Sequence, residues 1–169
     1  MGITEVVPTT SPSMDIQVSS NLERLLFEMN GRDGAALGAQ LDDFRATGSF
    51  QLDSALRASL VDGWAGARFV DDAVRACIAD EADRSGILLD PHTAVGLLAA
   101  RACRRDSSIP MVALATAHPA KFPDAVEAAT GVRPELPDHL ADLYERPERL
   151  TELPADLAVI EDFVRAHRR

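Results

Sequence analysis

The stretch Met111-Val112-Ala113-Leu114-Ala115 is the most apolar run of the 169-residue chain and decides the predicted fold. An apolar run without polar alternation is typical of a parallel strand that helices cover on both faces of its sheet. With its flanking residues, the predicted strand spans about 110–116. Because the surrounding segments predict helices, we expect an α/β fold that is mostly helical, with one strong buried parallel strand.

The segments around this strand carry the apolar spacing of amphipathic helices. The predicted helices lie near residues 22–29, 37–44, 53–61, 70–78, 91–102, 123–129 and 157–164. Residues 3–7 and 14–18 are the only other candidate strands. A fully buried parallel strand needs neighbours on both sides to satisfy its backbone groups. We therefore expect the chain to be part of a larger α/β protein.

Charge and composition argue against several classes of partner. The net charge of −10 at pH 7 is unfavourable for a nucleic-acid surface or an anionic membrane. The sequence has no apolar run near the ~20 residues of a membrane span, and its start lacks a signal-peptide pattern. Cys77 and Cys103 and the four histidines lack the spacing of metal ligands. We expect a cytoplasmic protein without a metal site.

A polar cluster, Thr116-Ala117-His118-Pro119-Ala120-Lys121-Phe122, follows the predicted strand. Open α/β sheets bind ligands at the carboxyl ends of their strands, and Lys121, the only lysine, has the chemistry to form a Schiff base. The structural alternative is that Thr116 ends the strand, His118 forms a local hydrogen bond and Lys121 is a solvated charge. The residues alone leave both interpretations open.

A second motif, Asp90-Pro91-His92-Thr93, predicts the start of a helix. Asp90 is a suitable N-cap, and Pro91 suits the first helical position. A third segment, Ser20-Asn21-Leu22-Glu23, has the spacing of a capping box, with Ser20 as the N-cap.

Three stretches in order resemble the bacterial and fungal branch of the threonine synthase family. They are Ser11–Arg24, Asp90–Val95 and Ala115–Pro123, and the tail from Pro154 to Val164 is also similar. The resemblance begins near Val7 and covers nearly the whole chain. It is confined to the C-terminal portion of such an enzyme, so it implies a partial large domain of a fold-type II enzyme that depends on pyridoxal phosphate. The domain organisation expected is an irregular arm at 1–13 and this C-terminal portion at 14–169.

The resemblance also implies roles for particular residues. Thr116 matches the threonine whose hydroxyl meets the pyridine nitrogen of the cofactor. A segment near the substrate pocket is matched by Ser19, Ser20 and Asn21. Four more residues match positions in the family motifs: Asp90, His92, His118 and Lys121. Our hypothesis is that they support the Thr116 loop.

The family reaction converts O-phosphohomoserine and water to threonine and phosphate, as a lyase of threonine biosynthesis. Lys121 matches a family lysine other than the Schiff-base residue, and the phosphate-binding loop of the family has no counterpart here. We therefore expect no catalytic residue in this chain, and no activity from it alone. Two alternatives stay open: a split enzyme completed by a separate N-terminal chain, and a non-catalytic helical interaction module.

Overall fold

The computed structural model describes residues 2, 5–16 and 19–168, and the chain divides into two compact units, Met1–Glu135 and Leu136–Arg169. The described residues of the first unit form six α-helices: α1 (Ser20–Met29), α2 (Gly34–Thr47), α3 (Ser54–Gly63), α4 (Asp71–Ser85), α5 (Pro91–Cys103) and α6 (Pro123–Thr130). It also has short 3₁₀ helices at Pro12–Met14 and Pro119–Lys121. The second unit has 3₁₀ turns at Asp138–Leu140 and Leu143–Glu145, followed by α7 (Leu157–His167).

The larger core of the first unit lies between α4, α5 and α6. Its buried members are Val74, Cys77, Ile78, Ala94, Val95 and Val126. Local signals define these helices, since Asp90 caps α5, and Gly86 and Gly131 end α4 and α6 in the left-handed conformation that glycine adopts without a Cβ clash. The predicted helices at 70–78, 91–102 and 123–129 are therefore confirmed.

A smaller core joins α1 to α2. Leu26 packs there with Phe44 and Phe50, and the two rings meet edge to face at 5.6 Å. The predicted helices near residues 22–29 and 37–44 are confirmed, and α2 ends at Gly48 in the left-handed conformation. The predicted capping box is wrong, because Ser20 is the first helical residue and Ser19 occupies the N-cap without a side-chain hydrogen bond.

The predicted buried strand at 110–116 is wrong. The segment is irregular, and Val112 and Leu114 are 78% and 75% exposed. Within the described residues, the only β-pairing is an isolated bridge between Gly2 and Ser49. A strand needs a partner for its backbone groups, and no described residue pairs with this run. The described part of the chain is thus mostly helical, with no strand.

The two shorter strand candidates, 3–7 and 14–18, form no strand at the residues that the structure describes. Met14 belongs to a 3₁₀ helix and Asp15 and Ile16 are irregular, whereas Gln17 and Val18 lie outside the described residues. In the other candidate, residues 5–7 are irregular, and Ile3 and Thr4 lie outside the described residues. No helix among the described residues has the length and apolarity to cross a membrane.

Candidate functional site

Asp90 is the buried centre of the site. It is 1% exposed and accepts hydrogen bonds from the backbone N–H groups of His92 (2.9 Å) and Thr93 (3.4 Å), which satisfies two of the free donors at the start of α5. Both of those residues also turn their side chains back to the carboxylate. The Thr93 hydroxyl donates to Asp90 Oδ2, and His92 Nδ1 lies 3.1 Å from Asp90 Oδ1.

Thr93 connects this carboxylate to the predicted cofactor residue. The backbone N–H of Thr116 donates to Thr93 Oγ1 at 3.1 Å, across 23 residues of sequence. Thr93 is buried, while Thr116 is exposed. The Thr116 hydroxyl forms no hydrogen bond within the described part of the chain. The residue is therefore held by its backbone, while its side chain is exposed.

His92 connects the same carboxylate to the N-terminal arm and to the segment after Thr116. Its Nε2 accepts the backbone N–H of Ser13 at 3.2 Å, and its ring lies 4.6 Å from the ring of Phe122. A backbone N–H can only donate, so Nε2 carries no proton and Nδ1 donates to Asp90. Parts of the three stretches that carry the family resemblance, Ser11–Arg24, Asp90–Val95 and Ala115–Pro123, thus meet at the first turn of α5.

The N-terminal arm is also tied to α4. Asp71, the first residue of α4, accepts from the Thr10 backbone N–H (3.0 Å) and from the Thr10 hydroxyl (2.9 Å). Asp15, two residues after the predicted arm, accepts from the backbone N–H and the hydroxyl of Thr9, each at 2.7 Å. These bonds attach Thr9 and Thr10 of the predicted irregular arm (residues 1–13) to the rest of the first unit.

His118 and Lys121 have separate places. His118 Nδ1 accepts the Ala120 backbone N–H at 3.2 Å and so caps the 3₁₀ turn that follows. Lys121 is exposed, with Nζ 5.8 Å from the centre of the Phe122 ring. It lines an open cleft of about 650 Å³ together with Arg75 and Asp71. Neither side chain bonds to the Asp90 network within the described residues.

The predicted substrate segment, Ser19 to Asn21, lies at the start of α1. Within residues 5–16 and 19–168, these three residues form no hydrogen bond or ion pair with the Asp90 network. The same described ranges contain no group of three metal-ligating side chains. Sequence reasoning missed the link through Thr93, although its position three residues after the Asp90 N-cap is the spacing at which a polar side chain reaches back to the cap.

Helices pack around a buried Asp-His-Thr network with the exposed Thr116 residue beside it, and these residues belong to the stretches that resemble the threonine synthase family. A family model described as "Threonine synthase, C-terminal" matches residues 93–164. The chain is thus related to the C-terminal portion of threonine synthase, as the motifs predicted.

Individual relatives agree with this result. Threonine synthase from Pseudomonas aeruginosa is 51% identical over 168 residues, which cover 95% of this chain and 34% of that protein. The threonine synthase of Saccharomyces cerevisiae is 32% identical, over 93% of this chain and 34% of the relative. The chain therefore spans about a third of the length of the curated relatives it matches.

Solved structures give the same correspondence. The crystal structure of PLP-bound threonine synthase from Brucella melitensis superposes with a TM-score of 0.81 at 45% identity, covering 99% of this chain and 36% of that one. The yeast threonine synthase structure has a TM-score of 0.74 at 31% identity, covering 97% of this chain and 37% of the other. The helical arrangement described above thus resembles that of about a third of each of these solved chains.

Proposed function

We propose that this chain forms the C-terminal portion of a cytoplasmic threonine synthase, which converts O-phosphohomoserine and water to threonine and phosphate with pyridoxal phosphate as cofactor. The observation that carries the proposal is Thr116, which combines a backbone anchored to buried Thr93 with an exposed hydroxyl. The Brucella relative, with 45% identity to this chain, is a PLP-bound enzyme.

The residues present fit such a cofactor. When bound, pyridoxal phosphate supplies an electron sink for bond cleavage next to the substrate amine. A threonine hydroxyl suits its pyridine nitrogen, because a neutral donor forms one hydrogen bond without adding a full charge. An aspartate in the same place would favour the protonated nitrogen. Thr116 therefore binds and orients the ring edge, and sets how strongly its nitrogen is polarised.

Lys121 does not have the setting of a lysine that holds an aldehyde. It is exposed at an open cleft that is also lined by Asp71, Asp124 and Arg75, whereas a lysine that forms a Schiff base is commonly desolvated. The proposal assigns the Schiff base to a lysine in the part of the enzyme that this chain does not cover. It follows that this chain alone releases no phosphate from O-phosphohomoserine. The placement of Ser19, Ser20 and Asn21 near the substrate stays a prediction.

A fusion enzyme tests the proposal. The part of the Pseudomonas aeruginosa threonine synthase that this chain does not match is joined to the start of this chain, and phosphate release from O-phosphohomoserine is measured with added cofactor. We expect turnover from the fusion and none from the chain alone. Turnover by the chain alone, or a folded fusion that binds cofactor without turnover, would overturn the proposal.

Variants of the fusion then test Thr116. Thr116→Val removes the hydroxyl at nearly constant volume and is expected to lower kcat by about tenfold or more, the effect of losing one hydrogen bond to a polarised group. Thr116→Ser keeps the donor and should retain most activity. Thr151→Val is the matched control, since Thr151 is exposed and its hydroxyl is unbonded within the described residues. Equal activity of the Thr116→Val and Thr151→Val enzymes would remove Thr116 from the cofactor site.

A further inference from the structure

We infer that Thr93 and His92, neighbours on the first turn of α5, are positioning residues that clamp the segment 116–122 at both ends. The inference rests on the proposed function, because it assigns to this clamp the task of aiming the Thr116 hydroxyl. Thr93 holds the Thr116 end through a 3.1 Å hydrogen bond, and His92 holds the Phe122 end by ring packing at 4.6 Å.

Two backbone N–H groups fix the direction of the hydrogen bonds in the clamp. The N–H of Thr116 donates to Thr93 Oγ1, and the N–H of Ser13 donates to His92 Nε2. A backbone N–H can only donate, so the Thr93 hydroxyl oxygen and His92 Nε2 act as acceptors there. The Thr93 O–H and the His92 Nδ1–H therefore donate to the Asp90 carboxylate. Asp90 receives both and acts only as an acceptor. The network therefore has one self-consistent arrangement, which favours a single position of the segment.

These contacts exceed what the start of a helix requires. An N-cap aspartate satisfies its helix by accepting the backbone N–H groups of the first turn. Here Asp90 also receives two side chains, and each of them holds a segment distant in sequence, 23 residues away at Thr116 and 79 residues away at Ser13. Removing the Thr93 hydroxyl would leave the helix cap in place and free only the Thr116 end of the clamp.

The buried clamp matters because the residue it aims is exposed. An exposed loop residue loses affinity for a ligand when its backbone must be ordered on binding. Thr93 and Asp90 are buried, so water competes less for the acceptor of the bond that fixes the Thr116 backbone. We expect the loss of this bond to weaken cofactor binding without removing any atom that touches the cofactor.

The first experiment measures amide hydrogen exchange of Thr116 in this chain by NMR. Thr93→Val should speed exchange at Thr116 on the order of fivefold or more, whereas Thr93→Ser should restore protection. The matched control is Thr130→Val, because the Thr130 hydroxyl also bonds to the backbone, at Val126 O (2.8 Å), but has no part in the clamp. An unchanged Thr116 rate in the Thr93→Val chain, or an equal rise in the Thr130→Val chain, would overturn the inference.

The second experiment measures the dissociation constant of pyridoxal phosphate in the fusion enzyme by fluorescence titration. Thr93→Val should weaken binding several-fold, with Thr93→Ser close to the unmodified fusion and Thr130→Val unchanged. If the fusion is active and Thr93→Val leaves its dissociation constant for pyridoxal phosphate unchanged, the clamp is overturned while the proposed function stands. An inactive unmodified fusion instead contradicts the proposed function, and the amide exchange of Thr116 still decides whether the clamp exists.

Discussion

The Glu81 carboxylate on α4 forms an ion pair with the Arg101 guanidinium on α5, at the interface of two helices that share the larger core. Arg84, one turn further along α4, donates to the same carboxylate at 2.7 Å. Glu81 is 7% exposed, so these partners offset the cost of burying its charge. The hydrogen bond from Arg84, aided by that from Arg101, lowers the pKa of Glu81 despite the opposing effect of burial.

Glu81→Gln should therefore destabilise the protein in a pH-dependent way. At pH 7 we expect a loss of about 1–3 kcal/mol in the free energy of unfolding, because charged hydrogen bonds become neutral ones. A carboxyl whose pKa is lowered by folding stabilises the fold above its ordinary value of 4.5, and this contribution is lost as pH falls through the lower folded value. Urea denaturation at pH 7 and pH 3 measures the difference, which should shrink at pH 3.

Asp83→Asn is the matched control for this change. Asp83 is exposed on the same helix and forms no ion pair within the described residues, so its substitution should alter stability by less than about 0.5 kcal/mol. A destabilisation by Glu81→Gln that is equally large at both pH values would show that packing, and not charge, accounts for it.

Ile78 lies in the core between α4, α5 and α6, so truncation of its side chain should destabilise the fold. Ile78 is almost fully buried, and Ile78→Ala should cost about 2–5 kcal/mol through lost burial and a residual cavity. Ile87 is exposed just beyond the end of α4, and Ile87→Ala should change stability by less than about 0.5 kcal/mol. Thermal unfolding of both variants provides the comparison. Similar melting temperatures would contradict the assignment of the core.

Asp71 should control how firmly the N-terminal arm is held. Asp71→Ala removes the acceptor of both Thr10 hydrogen bonds, so amide exchange across residues 9–15 should rise severalfold. Asp72→Ala is the matched control. Asp72 is the next residue on α4, and within the described residues its carboxylate pairs only with Arg75, at 3.5 Å. Both changes remove one negative charge from the first turn of α4, so a similar response of the arm to both would indicate a loss of helix stability instead.

Most of the fold was predictable because helix signals are local. The cap at Asp90, the proline after it and the glycines at 86 and 131 act within one turn of their helices. Their effect can therefore be predicted without knowing which segments pack against each helix. The segment 110–116 has an equally clear pattern but a different requirement. A strand depends on pairing with residues elsewhere, and the described chain offers none, so composition alone led to the wrong structure.

The sequence motifs singled out residues that the structure joins in one hydrogen-bond network, but the motifs did not predict the bonds between them. Asp90, His92 and Thr116 each stood out within a short motif. Their meeting depends on contacts such as that between Ser13 and His92, which are 79 residues apart. No periodicity carries such information, because it arises from how α5 packs against its neighbours. The spacing between Asp90 and Thr93 could have indicated the bond from the Thr93 hydroxyl to Asp90, whereas the bond from the Thr116 N–H to Thr93 joins residues 23 apart and has no local signal.

The exposed apolar run at 110–116 should make this chain associate with itself. Exposed apolar surface with unpaired backbone groups favours aggregation. Val112→Lys places a charge on a 78% exposed position and should reduce light scattering at high concentration, with unfolding free energy changed by less than about 0.5 kcal/mol. Val132→Lys, at an exposed valine outside the run, controls for the added charge. Equal relief of scattering by both variants would assign the effect to net charge and contradict the prediction.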